Sequence, residues 1–277
     1  MSVDWSSDYR VVDLSVTVSE DLPSYWPGHM PFASKVWNYF QPTEILGETI
    51  PSFAPYQTRF WVIDEHCGTH FDGPTHFIPP DHSGLPWAGE RGAETGDKVP
   101  LTDFMGPGVC LDVRHLRHKA SVDQGQSPWI HAEDIRTWEV NYGGLNPGEV
   151  VLFYTGWDQH YRTDREGRQY AHNPLVLKTG EAWPAPDVES MLYLYSRGIR
   201  CVGTDAPSMG AAHDGVPVHQ EGLSRGMRFI EVLSDLGQLS PRGFFFIFLP
   251  IKVKGSTGGP GRAIAMTPTR SPTRSND

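Results

Sequence analysis

The sequence predicts an α/β fold that is rich in strands and has only a few helices. Apolar stretches with strand composition alternate with turns rich in Gly and Pro, and few segments show the spacing of an amphipathic helix. With 277 residues, 38% of them hydrophobic, the chain can bury a substantial core and could form one large domain or two ordinary ones. Because no interdomain linker is evident, we predict a single domain over residues 1–266.

The individual elements follow from composition and spacing. Strands are predicted at residues 9–16, 58–65, 108–112, 150–154, 199–203 and 244–253. Helices are predicted at residues 185–197, which follow Pro184 and end at Gly198, and at residues 226–236. The Gly- and Pro-rich segment 78–100 is predicted to be a long loop, and the composition of residues 267–277 predicts a disordered tail.

Charge and cysteine usage limit the partners and the compartment. The formal charge of −10 argues against binding to nucleic acid or to an acidic membrane, so a small molecule is the expected partner. Cys67, Cys110 and Cys201 are widely separated and odd in number, which indicates reduced thiols. The N-terminal residues lack a signal-peptide pattern, and no stretch has the roughly 18 apolar residues of a membrane span. We therefore expect a cytoplasmic protein.

One short segment concentrates residues that bind metals: His66, His70, Asp72 and His76. Their positions have the same parity, so an extended backbone would direct them to one side. In a straight strand, however, the Cα atoms four residues apart would be about 13 Å apart, which is too far for shared ligation. The chain must therefore bend, for which Gly68 provides the freedom. We predict a divalent-metal site; the alternative is a polar surface strand.

A second group lies far along the chain, where Glu231 interrupts an apolar run. If buried, such a carboxylate must be paired, protonated or coordinated; the alternative is an exposed position on an amphipathic helix. On one continuous helix, His219 and Glu231 would be about 18 Å apart along the axis. A shared site therefore requires a break in the helix, which Gly222 and Gly226 could provide.

The order H-x-G-T-H-x-D-x-P-x-H at residues 66–76 resembles the signature of the cyclase family of metal-dependent hydrolases. This family includes bacterial kynurenine formamidase, isatin hydrolase and trans-dienelactone hydrolase. The resemblance extends to Trp-Pro-Gly at 26–28 and to segments 151–157, 203–208 and 249–252, followed by Gly255 and Arg262. It implies a swivelling β/β/α domain, one or two divalent ions, hydrolysis of a small amide or ester, and a homo-oligomer, either dimer or tetramer.

The resemblance also implies roles for individual residues. His66, His70 and Asp72 resemble the ligands of a first metal, and Asp72 would bridge to a second ion held by His219 and Glu231. His76 resembles the catalytic acid or base; its alternative role is as a further ligand or a hydrogen-bond donor to one. Imidazole and carboxylate ligands suit zinc and manganese equally well. Such a site leaves a position for water, whose pKa falls to about 7 on zinc.

Other residues of the resembling segments have less specific roles. Trp26 is similar to an aromatic platform for a planar or aromatic substrate. Asp205 and Ser208 follow a predicted strand, and Asp205 either orients a ligand histidine or begins a turn or helix. The family commonly has Asp-Pro in the next loop, where this chain has Ala-Ala-His213-Asp214-Gly, so the local geometry is expected to differ.

These features favour a hydrolase that opens an aryl formamide or isatin-type lactam with activated water. A lactone hydrolase of the trans-dienelactone type is the main alternative. A true cyclase or lyase would not need a positioned acid or base, so the presence of His76 argues against it. A non-catalytic metal-binding protein is a third class, which the complete set of ligand residues disfavours.

Overall fold

A computed structural model describes residues 5–118 and 123–269 of the chain. The strands are β1 (Tyr9–Asp13), β2 (Ala33–Asn38), β3 (Thr43–Ile45), β4 (Glu48–Ile50), β5 (Thr58–Val62), β6 (His70–Asp72), β7 (Met105–Asp112), β8 (Trp129–Ile130), β9 (Val150–Tyr154), β10 (Ala185–Pro186), β11 (Cys201–Thr204), β12 (Arg228–Glu231), β13 (Arg242–Pro250) and β14 (Gly258–Pro268). The helices are α1 (Trp5–Asp8), α2 (Ala132–Tyr142), α3 (Val188–Ser196) and α4 (Val216–Ser224).

The main sheet closes into a barrel. Its strand order is β1-β14-β13-β7-β9-β11-β12-β6, and β6 pairs with β14 as well as with β12. Seven strands therefore form a ring, while β1 pairs with the carboxyl-terminal half of β14 outside it. This arrangement confirms the predicted β-rich α/β fold with few helices.

Half of the barrel is parallel. Neighbouring strands β7, β9, β11 and β12 run in the same direction, and α2, α3 and α4 form the three crossover connections between them. Along β9, Val150 and Leu152 pack in one apolar cluster, whereas Val151 and Phe153 pack in the other, next to the helices. Burial of both faces explains why this strand is continuously apolar.

Most predicted elements are present with shifted ends. The predicted strand 150–154 coincides with β9, and the strands predicted at 108–112 and 199–203 correspond to β7 and β11. Strands β1 and β5 end three residues earlier than predicted, and the strand predicted at 244–253 is β13. The helix predicted at 185–197 is α3, which begins after the short strand β10.

The helix predicted over residues 226–236 is wrong. Strand β12 occupies residues 228–231, and a 3₁₀ turn follows at Leu236–Gln238. All four residues of β12 are buried, and a short run of this kind looks the same in a buried strand and a buried helix. Helices α2 and α4 and strand β14 were not predicted; α4 contains Pro217 and Gly222, which argue against a helix in sequence.

The loop predicted at 78–100 contains short 3₁₀ turns and one isolated β-bridge, between Pro80 and Gly89. The tail predicted at 267–277 is wrong at its start, because β14 continues to Pro268; residues 270–277 lie outside the described part. The single-domain boundary at residue 266 stays a prediction. Within residues 5–118 and 123–269, no helix has the length and apolar character that a membrane span needs.

Candidate metal centre

The predicted ligand segment bends where the sequence indicated. Gly68 has φ +65°, and its N–H donates to the Ser24 carbonyl over 2.6 Å. The bend brings the rings of His66 and His70 to a centroid separation of 5.1 Å. Strand β6 then carries His70 and Asp72 and ends there, and a 3₁₀ turn over Pro74–His76 turns the chain back. The structure therefore places all four residues at one site.

The second predicted group meets the first across the barrel wall. Strand β12 pairs with β6, which places Glu231 opposite His70, and α4 brings His219 to the same point. The Nε2 atom of His219 is 3.2 Å from Glu231 Oε1 and 3.5 Å from Asp72 Oδ2. His70 Nε2 is 3.4 Å from Asp72 Oδ1 and 3.5 Å from Glu231 Oε2. Two imidazoles and two carboxylates thus converge in a buried cluster.

Backbone carbonyls set the direction of these imidazoles. His70 Nδ1–H donates to the carbonyl of Gly68 over 2.8 Å, and His219 Nδ1–H donates to the carbonyl of Gly215 over 2.7 Å. Because a carbonyl oxygen can only accept, Nδ1 carries the proton in both rings. The Nε2 lone pairs are therefore available to a metal once these atoms are deprotonated.

In His66 the ring proton is on Nε2, whereas in His70 and His219 it is on Nδ1. Its Nε2 lies 3.0 Å from Thr257 Oγ1, and Thr257 Oγ1 donates to Glu65 Oε1 over 2.5 Å. Since that hydroxyl proton is committed to Glu65, Nε2 of His66 must donate, and Nδ1 faces Asp72 Oδ1 at 2.8 Å. A side chain at Gly258 would not fit here, because its Cβ would lie 2.6 Å from His66 Cε1.

The charges of the cluster depend on one another. Burial alone would lower the pKa of His70 and His219, but hydrogen bonds to Asp72 and Glu231 and their charges outweigh it and raise both values to about 10. Burial alone would raise the pKa of Asp72, yet the neighbouring imidazoles of His76, His66 and His219 together hold it well below its usual range. Without a metal, the carboxylates of the cluster are therefore paired with protonated imidazoles. A divalent cation would take the place of the protons on these imidazoles.

The donor atoms fit a metal site. Two groups have ligand atoms within 4.8 Å of one another: His66, Asp72 and His76, and His70, Asp72 and Glu231. Imidazole nitrogen and carboxylate oxygen are common zinc and manganese ligands. Because Asp72 belongs to both groups, the arrangement is compatible with two ions that share this carboxylate.

His76 differs from the other histidines in its environment. Its ring stacks on that of His66 at a centroid distance of 3.9 Å, and the residue is only half-buried and lines a cavity. Burial lowers the pKa of His76 to about 4, so its ring is neutral at pH 7. A neutral imidazole can accept a proton or bind a metal, so the geometry is compatible with both predicted roles.

The cluster lies beside a cavity of about 430 Å³. Trp26 lines this cavity, and its ring packs edge-on against the buried Trp183 at 6.2 Å. Ser208 also lines it, whereas Phe77 stacks on the His219 ring at 4.4 Å. Trp26 and Ser208 thus line the same cavity as the candidate ligands, and their roles stay predictions.

Within residues 5–118 and 123–269, the Asp205 carboxylate has no hydrogen bond to a ligand histidine, so the structure favours the second of its two predicted roles, at a turn. Its carboxylate accepts hydrogen bonds from Thr155 N (2.9 Å), Thr155 Oγ1 (2.5 Å) and Gly156 N (2.8 Å). Burial raises the pKa of Asp205 to about 7, against the effect of these donors. The residue instead fixes the turn that follows β9, and it acts on the site only through the fold.

Several residues at the site were not predicted from sequence. Glu65 directly precedes the ligand motif, so its position was an available signal. Thr257 and Phe77 carry no recognisable pattern, and Thr257 is 191 positions from His66. The structure also places His213 and Asp214, whose role sequence left open, on the lining of the cavity.

A buried group of imidazoles and carboxylates beside a cavity, on a closed β-rich α/β fold, defines a metal-binding enzyme class. The Cyclase family model matches residues 12–211, and the chain belongs to this family. Isatin hydrolase of Roseibium aggregatum is 30% identical over 231 residues, covering 78% of both chains. Kynurenine formamidase of Sphingopyxis alaskensis is 24% identical over 256 residues, covering 92% of this chain and 97% of that protein.

Solved structures agree with this fold. Isatin hydrolase A from Ralstonia solanacearum matches with a TM-score of 0.72 and 22% identity, over 94% of this chain and 92% of the other. Isatin hydrolase A from Labrenzia aggregata matches with a TM-score of 0.69 and 26% identity, over 94% of each chain.

Proposed function

We propose that this protein is a metal-dependent hydrolase that opens a small, planar or aromatic amide or lactam with water. The observation that carries the proposal is the shared position of Asp72 in two groups of candidate ligands, beside a cavity lined by His76 and Trp26. The relatives support it, because isatin hydrolase and kynurenine formamidase are both named for hydrolysis at an amide-type bond. Neither name denotes a lactone.

Each residue has a task in this reaction. His66, His70, Asp72, His219 and Glu231 would hold the metal. When bound, a divalent ion supplies Lewis-acid activation of water and of the scissile carbonyl. His76 would accept a proton from the attacking water at its ring nitrogen and return it to the leaving nitrogen, because its ring is neutral at pH 7. Trp26 would orient a flat substrate ring.

Finer features of the protein also belong to this proposal. We infer one or two ions of zinc or manganese per chain, because the ligand types suit both metals. A homo-oligomer is favoured by exposed apolar side chains on residues 33–62: Trp37, Phe53 and Trp61 are 60%, 69% and 66% exposed. The three free, buried cysteines are compatible with a cytoplasmic location.

The test is a hydrolysis screen with formanilides, isatins, simple lactams and lactones on protein reconstituted separately with zinc and with manganese. Acid release is followed with Asp72→Asn as the matched control. We expect turnover of aryl formamides or isatins that requires metal and is lost in the control. Turnover of lactones alone would replace the amide proposal, and no metal-dependent turnover of any class would refute the enzyme.

A further inference from the structure

A second polar position lies in the cavity, on the loop between β11 and α4. Ser127 holds this loop at two points. Its Oγ accepts a hydrogen bond from Ala212 N over 2.9 Å, and its N–H donates to His213 Nδ1 over 3.1 Å. Trp129 packs edge-on against the His213 ring at 5.0 Å. The imidazole therefore has a defined position although the residue is exposed.

The contact with Ser127 determines which ring nitrogen of His213 carries a proton. A backbone N–H can only donate, so Nδ1 of His213 must accept and cannot carry a hydrogen in this arrangement. The ring proton of the neutral imidazole is then on Nε2. Within residues 5–118 and 123–269, no group accepts a hydrogen bond from that atom. His213 thus offers a donor with fixed direction at a wall of the cavity that also contains the metal-ligand cluster.

We propose that His213 is a specificity-determining residue that donates from Nε2 to a second carbonyl oxygen of the substrate, one that is not hydrolysed. This inference rests on the proposed function. Trp26 and the metal ligands line the same cavity, so a flat ring can contact Trp26 while its scissile carbonyl faces the ligands. Among the substrates of the proposed function, this contact would favour those that carry a further carbonyl on the ring. Asp214 also lines this cavity, and its negative charge favours a neutral carbonyl over a carboxylate.

Two substitutions of His213 separate its Nε2 donor from its Nδ1 contact with Ser127, which holds the loop. In His213→Asn, the amide oxygen takes the place of Nδ1 and can still accept from Ser127 N, but no donor reaches the position of Nε2. In His213→Gln, an amide N–H lies close to the former Nε2. Comparison of the two variants therefore tests the donor, and their thermal unfolding shows whether the loop remains intact.

The experiment compares formanilide with its ortho-, meta- and para-acetyl derivatives on metal-reconstituted protein. We expect wild type to favour at least one acetyl derivative by about tenfold in kcat/KM, mainly through KM, as for one good hydrogen bond. His213→Asn should remove this preference and His213→Gln should restore part of it. Calorimetric titration with aniline and the corresponding aminoacetophenones gives the same comparison without turnover.

The outcomes distinguish this inference from the proposed function. Hydrolysis with an equal acetyl preference in wild type and His213→Asn, or with no preference at all, would overturn the role of His213 and leave the hydrolase in place. A binding preference that depends on His213, without hydrolysis of any formamide, would support the subsite and refute the proposed activity on formamides. Absence of a preference in both measurements refutes the subsite.

Discussion

Replacement of Asp72 by Asn should remove metal from the whole site. The Asp72 carboxylate lies 2.8 Å from His66 Nδ1, 3.4 Å from His70 Nε2 and 3.5 Å from His219 Nε2. It is also the member shared by both groups of candidate ligands. Asparagine has nearly the same shape but lacks the charge and offers a single acceptor oxygen. We therefore expect about two ions per wild-type chain and close to none in the variant.

The expected change in stability follows from the linkage between metal binding and folding. Metal at a free concentration of one hundred times Kd stabilises a protein by about 2.7 kcal/mol per site. For a chain of this size, one kcal/mol corresponds to roughly 2–4 °C in Tm, so each occupied site adds about 5–10 °C. Wild type should show this rise on addition of zinc or manganese and lose it with a chelator. Asp72→Asn should show almost none of it.

Elemental analysis after dialysis, together with thermal unfolding with and without metal, measures both quantities. Asp81→Asn is the matched control, because it makes the same chemical change at an exposed position in the loop after the ligand segment. It should behave as wild type. If Asp72→Asn retains wild-type metal content and the same metal-dependent rise in Tm, the assignment of Asp72 as the shared ligand is refuted.

Three further outcomes are expected at the same site. Glu231→Gln should keep the fold, because its amide oxygen can still accept a hydrogen bond from Met209 N. It should lower the metal content from about two ions per chain to one, and an unchanged content would contradict the role of Glu231 as a ligand. His76→Ala should retain its metal but lose about 10²–10⁴ in kcat, as steady-state rates and elemental analysis will show, whereas parallel loss of metal and activity would make His76 a ligand. Because the pKa values of His70 and His219 are raised to about 10, both imidazoles are protonated in the metal-free protein. Metal binding should therefore release protons, and its affinity should increase as pH rises toward 10. Calorimetry in buffers of different ionisation enthalpy measures the number of protons released.

The sign of the corresponding stability change is fixed by the same two histidines. Their pKa values in the metal-free protein lie above the unfolded value of 6.5. Their contribution to the stability of that form is therefore complete below pH 6.5 and is lost as pH rises through about 10. Metal-loaded protein, in which the imidazoles are already deprotonated, should not show this loss.

The first half of the site was predictable from sequence because its ligands are close neighbours along the chain. Equal parity, the need to bend and a glycine between His66 and His70 together indicated a shared site, and Gly68 has the expected positive φ. The second half was predictable only through resemblance. Spacing alone fits a helix over residues 226–236, whereas β12 is a strand that pairs with β11 on one side and with β6 on the other.

Other parts of the site depend on contacts that no local pattern contains. Thr257 and Gly258 reach His66 because β14 pairs with β6, and this pairing joins segments almost two hundred residues apart. The sequence also did not predict that His219 lies on a helix, since Pro217 and Gly222 lower the helix propensity of α4. Packing against α3 and the sheet outweighs that propensity, as tertiary contacts commonly do.

The site and the closure of the barrel share one element. Strand β6 is only three residues long, yet it pairs with β12 on one side and with β14 on the other. In this register Asp72 lies opposite both Phe229 and Gly258, and His70 lies opposite Glu231. The backbone of β6 therefore completes the ring, while its side chains His70 and Asp72 are candidate metal ligands. A metal bound by His70 and Glu231 would connect β6 to β12 directly, so ligation and barrel closure stabilise each other.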